Sequence, residues 1–162
     1  MVTTLPVPVE FELPPGWTPA PPDEVGAPGV AFVALRSLPE RTGFTPNITL
    51  SGEFRDDPAS LTEIADESIS RLGQTSERAS LARRTEVGTP GSPGLTQLVN
   101  IRHPVGGELL QCQVYLDMHD THDASRRAVL QLALTASAEQ LDDVLGDFQR
   151  FVASVRPDTK QG

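Results

Sequence analysis

The sequence predicts an α+β domain: a central antiparallel sheet packed by two main helices. Three observations carry this. Leu110, Cys112, Val114 and Leu116 alternate with Gln111, Gln113, Tyr115 and Asp117, and Ala128, Leu130, Leu132 and Leu134 alternate with Val129, Gln131, Ala133 and Thr135. Period-two alternation marks strands with one face drier than the other. Leu141, Leu145, Phe148, Phe151, Val152 and Val155 then fall on one face at helical spacing, directly after the second strand. Finally, helices separated by runs of strands with short turns point to antiparallel neighbours, not to a doubly wound α/β sheet.

Taken in order, Val7, Val9, Phe11 and Leu13 alternate with Pro8, Glu10 and Glu12, a first short strand. Pro14-Pro15-Gly16-Trp17 ends it, and Trp17, the single tryptophan, reads as a plug over the core. Residues 18–28 read as a proline-rich loop. Val30, Phe32, Val33 and Leu35 mark a second strand within 29–37. Residues 38–46 read as loop, and Ile48, Leu50 and Phe54 mark a third strand within 47–54. The first helix follows Pro58, with Ser60 and Glu63 spaced as a capping box and Leu61, Ile64, Ala65, Ile69 and Leu72 as its apolar stripe. Gly73 sits where a helix would end. Glu63, Asp66, Glu67 and Arg71 form its solvated face. Residues 81–87 and 95–103 read as strands joined by the Thr-Pro-Gly-Ser-Pro-Gly turn at 89–94. Ser137 caps the closing helix. The polar tail 156–162 is expected to fray. A single domain spans 1–162, its core about 7–155.

Composition narrows the function classes. The formal charge is −9 with 13 Lys and Arg in 162 residues, against a duplex-binding surface. No segment approaches the ~20 apolar residues of a membrane span. The lone cysteine, Cys112, has no internal disulfide partner and reads as a small buried hydrophobe. Met1–Glu10 has neither a basic region nor an apolar run, so the expected location is cytoplasmic.

No motif of catalysis stands out. G-x-S-x-G, P-loop and dinucleotide patterns are absent, and acidic pairs are too common to single one out. His119, His122 and Asp120 lie in an Asp- and His-rich stretch that could hold a divalent ion. The stretch links two strands, however, and its residue types are those a hairpin turn prefers. No cofactor is expected. The one suggestive surface is the wetter sheet face, where Gln111, Gln113, Tyr115 and Gln131 form an uncharged polar set around an aromatic, the composition of a protein contact.

At the level of order and motif the chain resembles the PsbP/DcrB-like superfamily, most closely its actinobacterial LpqN-type proteins. Phe11-Glu12-Leu13-Pro14-Pro15-Gly16-Trp17 looks like the family's opening strand and Pro-x-Gly-Trp turn. Thr45-Pro46-Asn47-Ile48-Thr49-Leu50 looks like its third strand, and the helix after Pro58 and the closing hairpin and helix also fit. The resemblance implies an α/β/α sandwich and a non-enzymatic role. Relatives include envelope lipoproteins, photosystem accessory subunits, a Ran-binding factor and chaperones that cradle apolar helices of secreted effectors. LpqN-type members carry a lipoprotein leader, and this sequence shows neither leader nor lipobox cysteine. The reading is therefore a protein-binding adaptor or chaperone, with a secreted effector or a second copy of the chain as partner. The alternative is an envelope-associated LpqN-type relative.

Overall fold

A computed structural model describes residues 9–21, 31–36, 45–55, 60–76, 78–89, 92–103, 107–119 and 127–157. The elements run β1 (Val9–Glu10), β2 (Trp17–Ala20), β3 (Phe32–Arg36), β4 (Asn47–Arg55), α1 (Leu61–Thr75), β5 (Arg78–Thr89), β6 (Ser92–His103), β7 (Gly107–His119), β8 (Arg127–Ser137), α2 (Ala138–Ser154) and β9 (Arg156–Pro157). Seven strands form one antiparallel sheet in the order β2-β3-β4-β8-β7-β6-β5. The predicted α+β class and central antiparallel sheet are therefore present.

The long hairpin of β7 and β8 sits near the middle of the sheet, with Val114 opposite Leu132 and Tyr115 opposite Gln131. Its alternation divides the molecule into two faces. Val114, Leu130, Leu132 and Leu134 join Ile48 and Leu50 of β4 on one face, against Val144, Phe148 and Phe151 of α2. Tyr115 and Val129 join Leu95 of β6 on the other, against Leu61, Ile64 and Ala65 of α1. The helices thus lie on opposite faces. They are also offset sideways: α1 packs on β5, β6 and β7, whereas α2 packs on β8 and β7.

Both helix starts follow from sequence. The Ser60 hydroxyl accepts from the Glu63 amide at 3.1 Å. Ser137 and Gln140 make a reciprocal capping box, each side chain taking the other's backbone N–H. The α1 terminus differs from expectation. Gly73 is helical and the helix runs on to Thr75, where Ser76 caps it through the Leu72 carbonyl. A glycine inside a helix costs only about 1 kcal/mol, so a capping serine three residues later can outweigh it.

Four further expectations are corrected. Residues 17–20, placed at a turn and the start of a loop, form β2: Pro19 lies opposite Ala34 on the outermost strand, the place in a sheet where a proline is tolerated. The first strand is present but shorter than expected and lies outside the seven-stranded sheet: Val9–Glu10 pairs with Arg156–Pro157 in a separate two-stranded sheet. Arg156 Nε donates to Glu10 at 2.8 Å, so the start of the expected frayed tail is tied down. Phe11, beyond that ribbon, packs edge-on against Phe32 and Phe151 with ring centroids 4.9 and 5.2 Å apart. The 89–94 turn is shorter than read, since β5 reaches Thr89 and β6 starts at Ser92.

The Pro-x-Gly-Trp motif closes the α2 face. Gly16 takes φ +91°, and a Cβ there would stand 1.9 Å from the Arg36 guanidinium. The turn drops Trp17 into the core at 6 % exposure. Its indole N–H donates to Asp147 of α2 at 3.0 Å. Arg150 also pairs with Asp147, and Arg36 approaches it at 3.7 Å. Burial raises the Asp147 carboxyl, but the hydrogen bonds from Trp17 and Arg150 and the charges of Arg150 and Arg36 outweigh it. The carboxyl is held below its ordinary value. Trp17 is thus the plug the sequence suggested, pinned by a buried carboxylate.

Candidate interaction site

The uncharged polar face of β7 and β8 is internal at its centre and half-buried at Gln111 and Gln131. Gln113 and Tyr115 are each 1 % exposed, and α1 lies over them. Gln113 Nε2 donates to Ser68 Oγ of α1 at 3.2 Å and to Gln111 Oε1 at 2.6 Å. Gln113 Oε1 accepts from Gln97 at 2.6 Å and from the Tyr115 hydroxyl at 3.0 Å. Gln97 also donates to the Ala65 carbonyl at 3.3 Å. Gln111 donates to Thr135 Oγ1 at 2.9 Å, and Gln131 reaches Ser68 Oγ at 3.4 Å. Burial pushes the Tyr115 hydroxyl up to about 12, despite the opposing Ser68 hydrogen bond and the nearby Arg71 and Arg84 charges.

Of the residues expected to form a contact surface, Gln113 and Tyr115 are closed to a partner, whereas Gln111 and Gln131 are half-buried. These side chains spend their hydrogen bonds on one another and on α1, as buried amides and hydroxyls must. Sequence alternation shows which residues share a face. It does not show which face a distant helix covers.

The sideways offset of α2 opens a different surface. Beyond α2, no described helix lies over the β5–β6 end of the same sheet face. The result is a groove of about 540 Å³. One wall is α2, through Leu141, Leu145, Phe148 and Val152. The floor is Leu98, Cys112, Val114 and Leu116, and the far wall is Arg83, Thr85 and Val87 of β5. Phe148 and Val114 are buried, Leu98, Leu116, Leu141, Leu145 and Val152 are half-buried, and Val87 is 41 % exposed. Apolar side chains left half-wet around one concavity are what a contact surface presents, whereas isolated exposed ones mean little.

Cys112 belongs to this groove and is half-buried, not sealed in the core. Burial pushes its thiol above its ordinary value, and the Arg83 charge pulls partly the other way. A thiol so placed is a poor nucleophile. Of the metal candidates, Asp120 and His122 lie outside the described residues, as does the side chain of His119. Among the described residues no cluster of His, Cys, Asp and Glu could hold a metal ion, and no helix is long and apolar enough to cross a membrane.

The groove residues were visible in sequence only in part. The apolar stripe of α2 was read as core, but Leu141, Leu145 and Val152 extend it to the side of what the sheet buries. Leu98 and Val87 were read only as strand residues. Nothing local in sequence reveals that α2 stops short of β6.

No protein-family model matches the sequence, and no curated protein matches it. Solved structures do. LpqN, involved in cell envelope biogenesis of Mycobacterium tuberculosis, superposes with a TM-score of 0.67 at 10 % identity, covering 92 % of this chain and 83 % of that one. Cyanobacterial PsbP (CyanoP) from Synechocystis gives 0.61 at 18 % identity, covering 93 % and 86 %. The Ran-binding protein Mog1p of Saccharomyces cerevisiae gives 0.57 at 14 % identity, covering 92 % and 89 %. At these identities the likeness establishes the fold, and the fold is PsbP-like, as the sequence motifs suggested.

Proposed function

With the PsbP-like fold as premise, we propose that this domain is a non-enzymatic protein-binding module, an adaptor or chaperone. It holds a segment of another protein, such as a secreted effector, in the groove between α2 and β5. The observation that carries this reading is the groove itself: five half-buried aliphatic side chains surround one concavity on a protein of net charge −9. Burying one Leu- or Phe-sized anchor there contributes about 1.5–3 kcal/mol, so a partner with several apolar anchors is the natural occupant. Mog1p, a protein of the same fold, is a Ran-binding protein, which supports a protein partner in general.

The test is photo-crosslinking in the native host, with benzoylphenylalanine placed at Leu98 in the groove or at Glu63 on the outer face of α1. The expected result is one discrete protein adduct from Leu98, lost on adding Leu145→Asp, and none from Glu63. Adducts from Glu63 alone would place the contact elsewhere. The likeness to LpqN supports a second reading, an envelope-associated role through the same groove. Fractionation of the host with the wall and membrane would favour that reading.

A further inference from the structure

We infer that the outer edge of β5 pairs with an extended, acidic segment of the partner, which adds a strand to the sheet and lays alternate side chains over the groove. This takes from the proposed function that the occupant is a protein, and it specifies the occupant's form and charge.

β5 is the last strand of the sheet and is hydrogen-bonded to β6 alone. Its outer row of backbone N–H and C=O groups has no strand opposite it among the described residues. Such an edge is a template for an added strand. Arg83, Thr85 and Val87, which alternate along it, are also the far wall of the groove. A helix lying in the groove would cover those side chains but leave the edge unpaired, whereas a strand satisfies both.

Charge selects the strand. The β5 segment carries Arg78, Arg83 and Arg84 against Glu86, in a chain of net charge −9. Arg84 is already engaged, donating to Asp66 at 2.6 Å and to Gln97 at 2.9 Å on the α1 face. Arg83 points to the groove side and has no hydrogen bond or ion pair among the described residues. A second copy of the chain, pairing antiparallel over 83–89, would set Arg83 opposite Thr89 and Glu86 opposite Glu86, leaving the arginine without a carboxylate and two like charges face to face. The position of the added strand is also set. The β5–β6 register shifts between Leu81 and Arg83, and from Arg83↔Leu98 to Thr89↔Ser92 it runs without interruption. Bulges and edge arginines can also serve simply to repel strands. Here the bulge spares the half of the edge that walls the groove.

The probe is a synthetic peptide as long as the 83–89 segment, whose groove-facing alternate positions are one glutamate, opposite Arg83, and valines, with serine between them. Its controls are a version with lysine for the glutamate and a version N-methylated at alternate residues. Binding to the whole protein is followed by fluorescence anisotropy and by amide exchange of 83–89. The acidic peptide is expected to bind and to slow exchange there. The lysine version is expected to bind at least about tenfold more weakly, and Arg83→Glu to reverse that preference. The N-methylated peptide is expected not to bind. Failure of the acidic peptide to bind, equal binding of the N-methylated one, or indifference to Arg83→Glu each overturns the assignment. Leu98 crosslinking separates the two ideas: adducts at Leu98 without peptide pairing leave the groove reading standing and remove the strand. Peptide pairing without adducts does the reverse.

Discussion

Under α2 the sheet offers Ile48, Leu50, Leu130, Leu132 and Leu134 to Val144, Phe148 and Phe151, and the contact is dry. Under α1 the same sheet offers Leu95 and Val129 together with Gln97, Gln113 and Tyr115, linked by hydrogen bonds to Ser68 and to the Ala65 carbonyl. The dry contact is non-directional, so α2 can sit to one side of the sheet and still bury its stripe. The polar contact is directional, because each amide must find its partner. That requirement seats α1 over β5, β6 and β7, while no described helix covers β5 and β6 on the α2 side. The groove is a consequence of this difference.

The largest expected effect tests the dry side. Phe151→Ala removes a fully buried ring that also meets Phe11, and should cost about 3–5 kcal/mol in chemical denaturation. Gln113→Ala strikes the polar side. It removes the side-chain acceptor of the Gln97 amide and of the Tyr115 hydroxyl and one of the donors to the Ser68 hydroxyl, and should cost about 1–3 kcal/mol through poorly paired groups rather than lost apolar area. If Gln113→Leu proves as stable as the parent, the network adds little to stability and the contrast between the faces narrows.

A smaller effect depends on pH. The Asp147 carboxyl is held below its ordinary value in the folded state, so its contribution is fully present above the unfolded value near 3.9. It fades as pH falls through the folded value. Asp147→Asn should therefore lower stability at neutral pH and flatten the acid limb of a stability-versus-pH curve. An unchanged acid limb would mean that Trp17 is held by packing alone. Smallest on stability is Leu98→Asp, half-buried at the groove floor, which should shift unfolding by about 1 kcal/mol or less while abolishing partner binding. Comparable losses of stability and binding would make Leu98 a core residue instead of a contact.

Much of the architecture could be read from local pattern. The β7–β8 hairpin, the Ser137 cap and the α2 stripe each announce themselves within a dozen residues, and Ser60 does the same for α1. What escaped reading depends on partners far along the chain. Pro19 looked like loop because its tolerance depends on lying at a sheet edge. Gly73 looked like a helix end because the rescue by Ser76 is a matter of geometry. Gln111, Gln113, Tyr115 and Gln131 looked like a wet surface because the helix that covers them is more than thirty residues away in sequence. The groove was hidden for the same reason, since half-burial at Leu98, Cys112 and Leu116 depends on where α2 comes to rest across the sheet.

Cys112, the single cysteine, lies in the groove, and the α1 face holds no thiol. The most direct measurement is therefore the rate at which Cys112 reacts with a maleimide, in the free protein and in its complex with the partner crosslinked or purified from the host. Slow modification of the free protein and markedly slower modification in the complex are expected, with release restoring the free rate. An unchanged rate in a stoichiometric complex would contradict this and place the contact away from the groove.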